Sequence, residues 1–108
     1  MSEDSLTQRH VRILLVLAEG ARHGYAISKA ITELSGGDVR LLPGSLYRAL
    51  GQLERRDLIE ETEPAGDDER RRTYRLTPEG KQALGEELRR MAGLAEEGRR
   101  IGVIGTGT

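Results

Sequence analysis

Leu42-Pro-Gly-Ser-Leu-Tyr-Arg-Ala-Leu-Gly-Gln-Leu-Glu-Arg-Arg-Asp-Leu-Ile-Glu60 is the stretch that decides the fold. Pro43 stands where a first helical turn tolerates it, because that turn has no use for the missing N–H. Leu46, Ala49, Leu50 and Leu53 then recur at helical spacing and define one apolar face. With that face turned inward, a 100° step per residue leaves Tyr47, Arg48, Gly51, Gln52 and Arg55 outward. Asp57 falls where the helix must stop, and Asp accepts left-handed backbone better than most side chains.

Towards the N-terminus, Ser35-Gly-Gly-Asp38 is a turn, followed by a short extended piece from Val39 to Leu42. Ile27, Ala30, Ile31 and Leu34 predict a helix from about Tyr25 to Leu34. Before it, Val11-Arg-Ile-Leu-Leu-Val-Leu-Ala18 is apolar on more than one face. That pattern predicts a first helix buried on two sides, by its own domain and by a second subunit. Ser5 and Gln8 have the spacing of a capping box, which would start it.

Towards the C-terminus, Leu58–Glu63 and Thr73–Thr77 read as the two strands of a hairpin. The second alternates, with Tyr74 and Leu76 inward and Thr73 and Arg75 outward. Between them lies a charged tip, Pro64-Ala-Gly-Asp-Asp-Glu-Arg-Arg71. Thr77-Pro-Glu79 supplies a capping hydroxyl, a first-turn proline and a carboxylate at the positive helix end, which predicts a fourth helix. Leu84, Leu88, Met91 and Ala95 line a stripe along it. From Gly102 the tail shows no packing pattern and reads as disordered.

The order of elements is that of a winged helix-turn-helix: mainly α, three helices and a two-stranded wing, then a C-terminal dimerisation helix. The expected division is 1–77 for the winged-helix DNA-binding domain, 78–101 for the dimerisation helix and 102–108 for the tail. In this arrangement the third helix enters the major groove and the wing follows the backbone. Gly44 and Ser45 lie in the first turn, where free amides favour a phosphate. Arg48, Gln52 and Arg55 are placed to reach base edges, since Arg and Gln can each pair bidentately with a base. Arg70, Arg71 and Arg72 are the candidate wing contacts.

Composition sets limits on other readings. The 108 residues carry 17 Lys and Arg against 18 Asp and Glu, for a net charge of −1, with no Cys, Trp or Phe. An even balance argues against a basic footprint unless charge is segregated, and the arginines do cluster at 48–56 and 70–75. The lack of Cys excludes disulfides and thiolate chemistry. His10 and His23 are the two histidines. A metal site would have to recruit carboxylates that nothing arranges, so His23 is read as structural and no metal, cofactor or catalytic residue is expected. No signal peptide or membrane span is visible, which fits a cytoplasmic protein.

Four blocks carry a resemblance. His23-Gly-Tyr-Ala-Ile27, Leu42–Leu50, Leu53-Glu-Arg-Arg-Asp-Leu-Ile-Glu60 and Arg71-Arg-Thr-Tyr-Arg-Leu-Thr-Pro-Glu-Gly80 resemble, in this order, the signatures of PadR-type regulators. The resemblance implies a repressor that dimerises through its C-terminal helix and binds an inverted-repeat operator. It also implies DNA contacts by Ser45, Tyr47 and Arg48 and by the wing arginines 70–72. Asp57 departs from it, standing where such proteins usually have glycine. The single short C-terminal helix is that of the small subgroup, some members of which bind flat apolar compounds at the dimer interface through tryptophan.

The expected partners are double-stranded DNA and a second copy, with Leu14, Leu17, Leu84, Leu88, Met91 and Ala95 at the subunit interface. A small-molecule effector at that interface is compatible with this reading, although the chain lacks the tryptophan. The alternative is a winged-helix module whose charged face binds a protein, an option the net charge of −1 keeps open. Tyr25 and Tyr47, by residue type alone, read as half-buried beside the core.

Overall fold

The computed structural model describes residues 5–62 and 72–105. Among these residues four helices and three short strands follow in the order α1 (Gln8–Ala18), β1 (Arg22–His23), α2 (Gly24–Leu34), α3 (Pro43–Arg55), β2 (Ile59–Glu61), β3 (Thr73–Leu76) and α4 (Pro78–Arg100). The strands form one antiparallel sheet in the order β1-β3-β2. The wing is therefore three-stranded. Sequence periodicity missed β1, because two residues are too few to alternate, and Arg22 and His23 extend only by pairing with Tyr74 and Thr73.

The core is aliphatic and continuous. Ile13, Leu14, Ile27, Ile31, Leu50, Leu53 and Ile59 are fully enclosed, and Leu46, Ala49, Leu58, Tyr74 and Leu84 close around them. α3 buries Leu46, Ala49, Leu50 and Leu53, the face its sequence marked. Tyr74 is inward as expected and Arg75 outward, where it meets Glu60 across the strands at 2.7 Å.

The first helix starts two residues later than the Ser5–Gln8 spacing suggested. Thr7 is its N-cap: the Thr7 Oγ accepts from the His10 backbone N–H, and His10 Nδ1 accepts from the Thr7 N–H. Histidine at the third helical position does what Glu or Gln usually does, which is why the Ser/Thr-x-x-Glu/Gln spacing does not mark this start.

Three helices stop in the same way. In each, a residue with positive φ follows the C-cap, and two amides bond back into the last turn. Gly36 (φ 67) closes α2, Asp57 (φ 59) closes α3 and Gly102 (φ 81) closes α4. After α3, the Asp57 N–H bonds to Glu54 O and the Leu58 N–H to Leu53 O, while Leu53 and Leu58 are both buried. Asp57 is thus left-handed as the sequence suggested, at a cost that glycine would not incur. Asp57→Gly is expected to stabilise the fold by about 0.5–1 kcal/mol. A urea midpoint equal to or below that of the parent would contradict this.

The Gly102 stop also revises the tail. Val103 and Ile104 donate to Gly98 O, so residues 102–105 form a defined turn instead of disorder. Residues 106–108 lie outside the described residues.

α4 has two halves with different surroundings. Gly80 and Leu84 are buried, and Ala83 and Leu88 are partly buried against the core. Beyond them Met91, Leu94 and Ile101 are exposed. The expectation that Leu84 serves a second subunit is thereby corrected, because it fills the chain's own core. Leu14 and Leu17 are corrected likewise: they are 0% and 2% exposed within one chain and have no surface left for a partner. A nearly all-apolar helix looks two-sided in sequence, but here α2, α3, α4 and β3 surround it.

Candidate nucleic-acid interface

Helix α3 presents most of the candidate residues. α3 begins after Leu42, which offers no side-chain cap, so the amides of its first turn, at Gly44 and Ser45, are left for an external acceptor. Arg48, Gln52 and Arg55 follow at intervals of four and three residues and share one face. All three are exposed. Most arginines of α4 and the sheet are held by carboxylates: Arg75 by Glu60, Arg90 by Glu87 at 2.6 Å, Arg99 by Glu96 at 2.9 Å and Arg100 by Glu97. Among the described residues Arg48 and Arg55 have no such partner, and both side chains are exposed.

Tyr47 is 46% exposed, and its ring lies over Gly24 at the start of α2. A Cβ at position 24 would come 2.6 Å from the Tyr47 hydroxyl, so glycine there is what lets the ring settle. His23 caps α2, with Nδ1 accepting from the Ala26 N–H at 3.3 Å, in keeping with a structural role. Tyr25 does not sit beside the core: it is 73% exposed and stacks on His23, with ring centroids 6.5 Å apart. The expectation from residue type fails because position 25 points away from the face carried by Ile27 and Ile31.

Arg70 and Arg71 lie outside the described residues. Arg72 stands at the base of the wing, 3.4 Å from Glu61, and hydrogen-bonds the Tyr74 hydroxyl. Burial, with the Glu54 and Glu61 charges, pushes the Tyr74 phenol up. Glu54 on α3 is itself pushed above the ordinary carboxylate value of 4.5, by partial burial first and by the Glu61 charge second, with Arg72 opposing. The native state therefore holds the Glu54 proton to higher pH than the unfolded chain does. Between those two values stability falls as pH rises. Glu54→Gln is expected to flatten that decline just above pH 4.5 and to raise the urea midpoint at pH 7. An unchanged pH profile would refute this.

Sequence reasoning missed one basic cluster. Arg9 and Arg12 on α1 and Arg40 before α3 line a cleft of about 440 Å³ with Thr7, Gln8, Val39 and Leu41, and among the described residues no carboxylate lines it. The 28-residue separation between Arg12 and Arg40 hid it. Another groove, of about 770 Å³, runs between α1 and α2 and is lined by Leu15, Ala18, Ala26, Ala30 and Leu34, with Glu19, Arg22, Lys29 and Glu33 alongside. Among the described residues no group of His, Asp and Glu could hold a metal ion, and no helix is long and apolar enough to cross a membrane.

Helix α3 held against α1 and α2, with a β2–β3 hairpin at its side, defines a winged helix-turn-helix protein. Comparison with known proteins narrows this: the profile of the Transcriptional regulator PadR-like family matches residues 13–86, and the chain belongs to that family of DNA-binding transcriptional regulators. It is 36% identical over 100 residues to Transcriptional regulator Rv3488 of Mycobacterium tuberculosis, covering 91% of each chain. It is 46% identical over 83 residues to a 37.1 kDa protein of transposon TN4556 from Streptomyces fradiae, where the match covers 77% of this chain and the chain spans only 23% of the relative. Among solved structures, H. salinarum RosR aligns at 35% identity and TM-score 0.69, covering 82% of this chain and 76% of that one. A PadR family regulator of Clostridium difficile aligns at TM-score 0.76 over 88% and 98%; at 24% identity it attests the fold alone.

Proposed function

We propose that the chain binds a pseudo-palindromic operator as a homodimer and represses transcription where that site overlaps a promoter. The observation that carries this reading is the exposed α3 face, where Arg48 and Arg55 have no carboxylate partner among the described residues and Gln52 stands beside them. Gly44 and Ser45 would take a backbone phosphate at the helix start, with Tyr47 beside them, while Arg70 to Arg72 would track the backbone from the wing. Arg9, Arg12 and Arg40 would add phosphate contacts beside α3.

Dimerisation rests on the distal half of α4. Met91, Leu94 and Ile101 are exposed there, a helix with an unpacked apolar face is marginal alone, and the α1–α2 groove beside Leu15 and Ala18 is a matching apolar surface. Leu88, Met91 and Ala95 of one copy would meet the other, placing two α3 helices about 34 Å apart on one face of the duplex.

Selection of bound duplexes from a random pool, followed by affinity against salt, tests this. An enriched inverted repeat whose affinity falls steeply with salt is expected, because phosphate contacts release counterions. Absence of enrichment at low salt would overturn it and favour a protein-binding role.

A further inference from the structure

We infer that His10 is a positioning residue for base reading: it fixes the side-chain amide of Gln52 so that α3 offers the groove a hydrogen-bond donor there. The inference rests on the DNA-binding reading and goes beyond it, because it concerns which base is chosen.

His10 is 8% exposed and belongs to α1, yet its ring reaches α3. Its Nε2 lies 2.8 Å from Gln52 Oε1. The proton assignment follows from the other end of the ring. Nδ1 faces the Thr7 backbone N–H at 3.3 Å, a group that can only donate, so Nδ1 accepts and carries no hydrogen. In the neutral ring the proton is then on Nε2, and Nε2–H must find an acceptor. Gln52 meets it with its carbonyl oxygen, and the amide NH2 is left as the free end. A capping interaction in α1 thereby orients a side chain 42 residues away.

That orientation restricts what Gln52 can read. A free glutamine recognises adenine bidentately, its oxygen accepting from N6–H while its NH2 donates to N7. With Oε1 turned towards His10, the NH2 is the end of the amide left to face the groove. Its natural partners are base edges rich in acceptors: guanine, with N7 and O6, or the O4 of thymine. Reversing the amide would bring two NH donors together at His10 and lose the bond.

Two substitutions at position 10 separate orientation from simple support. His10→Gln can keep both ends, with its oxygen capping Thr7 and its NH2 donating to Gln52. His10→Glu also completes a capping box with Thr7 but brings only acceptors. It would draw the Gln52 NH2 inward and turn the carbonyl towards the groove, favouring bases that donate, such as cytosine N4–H or adenine N6–H.

The experiment compares selected duplexes differing at one base pair, the pair whose preference a Gln52→Ala variant loses. The ratio of affinities for acceptor-rich against donor-bearing bases is measured for the parent, His10→Gln and His10→Glu, after circular dichroism establishes that each is folded. The parent and His10→Gln should share one preference, and His10→Glu should shift the ratio by about tenfold towards the donor base, the scale of one good base contact. A general loss of affinity from the added charge would leave the ratio untouched. An identical ratio in all three, or a Gln52→Ala variant that loses no preference, would overturn the inference while leaving DNA binding intact. Failure of the parent to bind any duplex would instead overturn the DNA reading and the inference with it.

Discussion

Gly80→Ala is expected to destabilise the fold by at least about 3 kcal/mol, a large part of the stability of a domain this size. Gly80 is buried in the first turn of α4, directly over the turn that ends α3. A Cβ there would press into the carbonyl oxygen of Leu58 and come 2.8 Å from Leu76 Cδ1. The obstacle is backbone, so no rotamer change relieves it.

Nor can the helix simply slide away. Thr77, 8% exposed, fastens this end three ways: its N–H bonds to Leu58 O at 3.1 Å, its hydroxyl donates to Asp57 O at 2.6 Å, and the same oxygen accepts from the Gly80 N–H at 2.9 Å. Moving α4 outward by the width of a methyl group breaks that set and exposes Leu84. Urea unfolding followed by circular dichroism would register the loss. A midpoint shift worth less than about 1 kcal/mol would mean that the α3–α4 junction is looser than this packing implies.

Arg48→Ala is expected to leave stability within about 0.5 kcal/mol of the parent, since the side chain is exposed and has no partner among the described residues. Its effect falls on DNA. A good Arg–base pair is worth about 1–3 kcal/mol, and the proposed dimer would make each contact twice, so affinity for a symmetric site should fall by roughly thirtyfold to twenty-thousandfold. The direction of the loss matters as much as its size. If Arg48 reads a base, binding to an unrelated duplex should weaken far less than binding to the selected one. Equal losses on both would assign Arg48 to phosphate, and a change below about threefold on the selected site would remove it from the interface.

Much of this was legible in sequence, because it depends on neighbours along the chain. Pro43 and the Leu46–Leu53 spacing fixed α3 and its buried face, and Thr77-Pro-Glu79 fixed the start of α4. Asp57 was identified as a left-handed stop, and the outward positions of Arg48, Gln52 and Arg55 followed from helical geometry. Local rules sufficed there, since caps, turns and amphipathic faces are set within a few residues.

What the tertiary structure alone decided were the relations between distant segments. Leu14, Leu17 and Leu84 look like interface residues in a list of apolar positions, and only packing shows that a single chain consumes them. The third strand exists because β3 is there for Arg22 and His23 to pair with. The gathering of Arg9 and Arg12 with Arg40, and the reach of His10 to Gln52, depend on where helices cross. Periodicity reports which side of an element is apolar. Which groups meet across the core is set by the way the elements pack, and that information is carried by no single stretch of the chain.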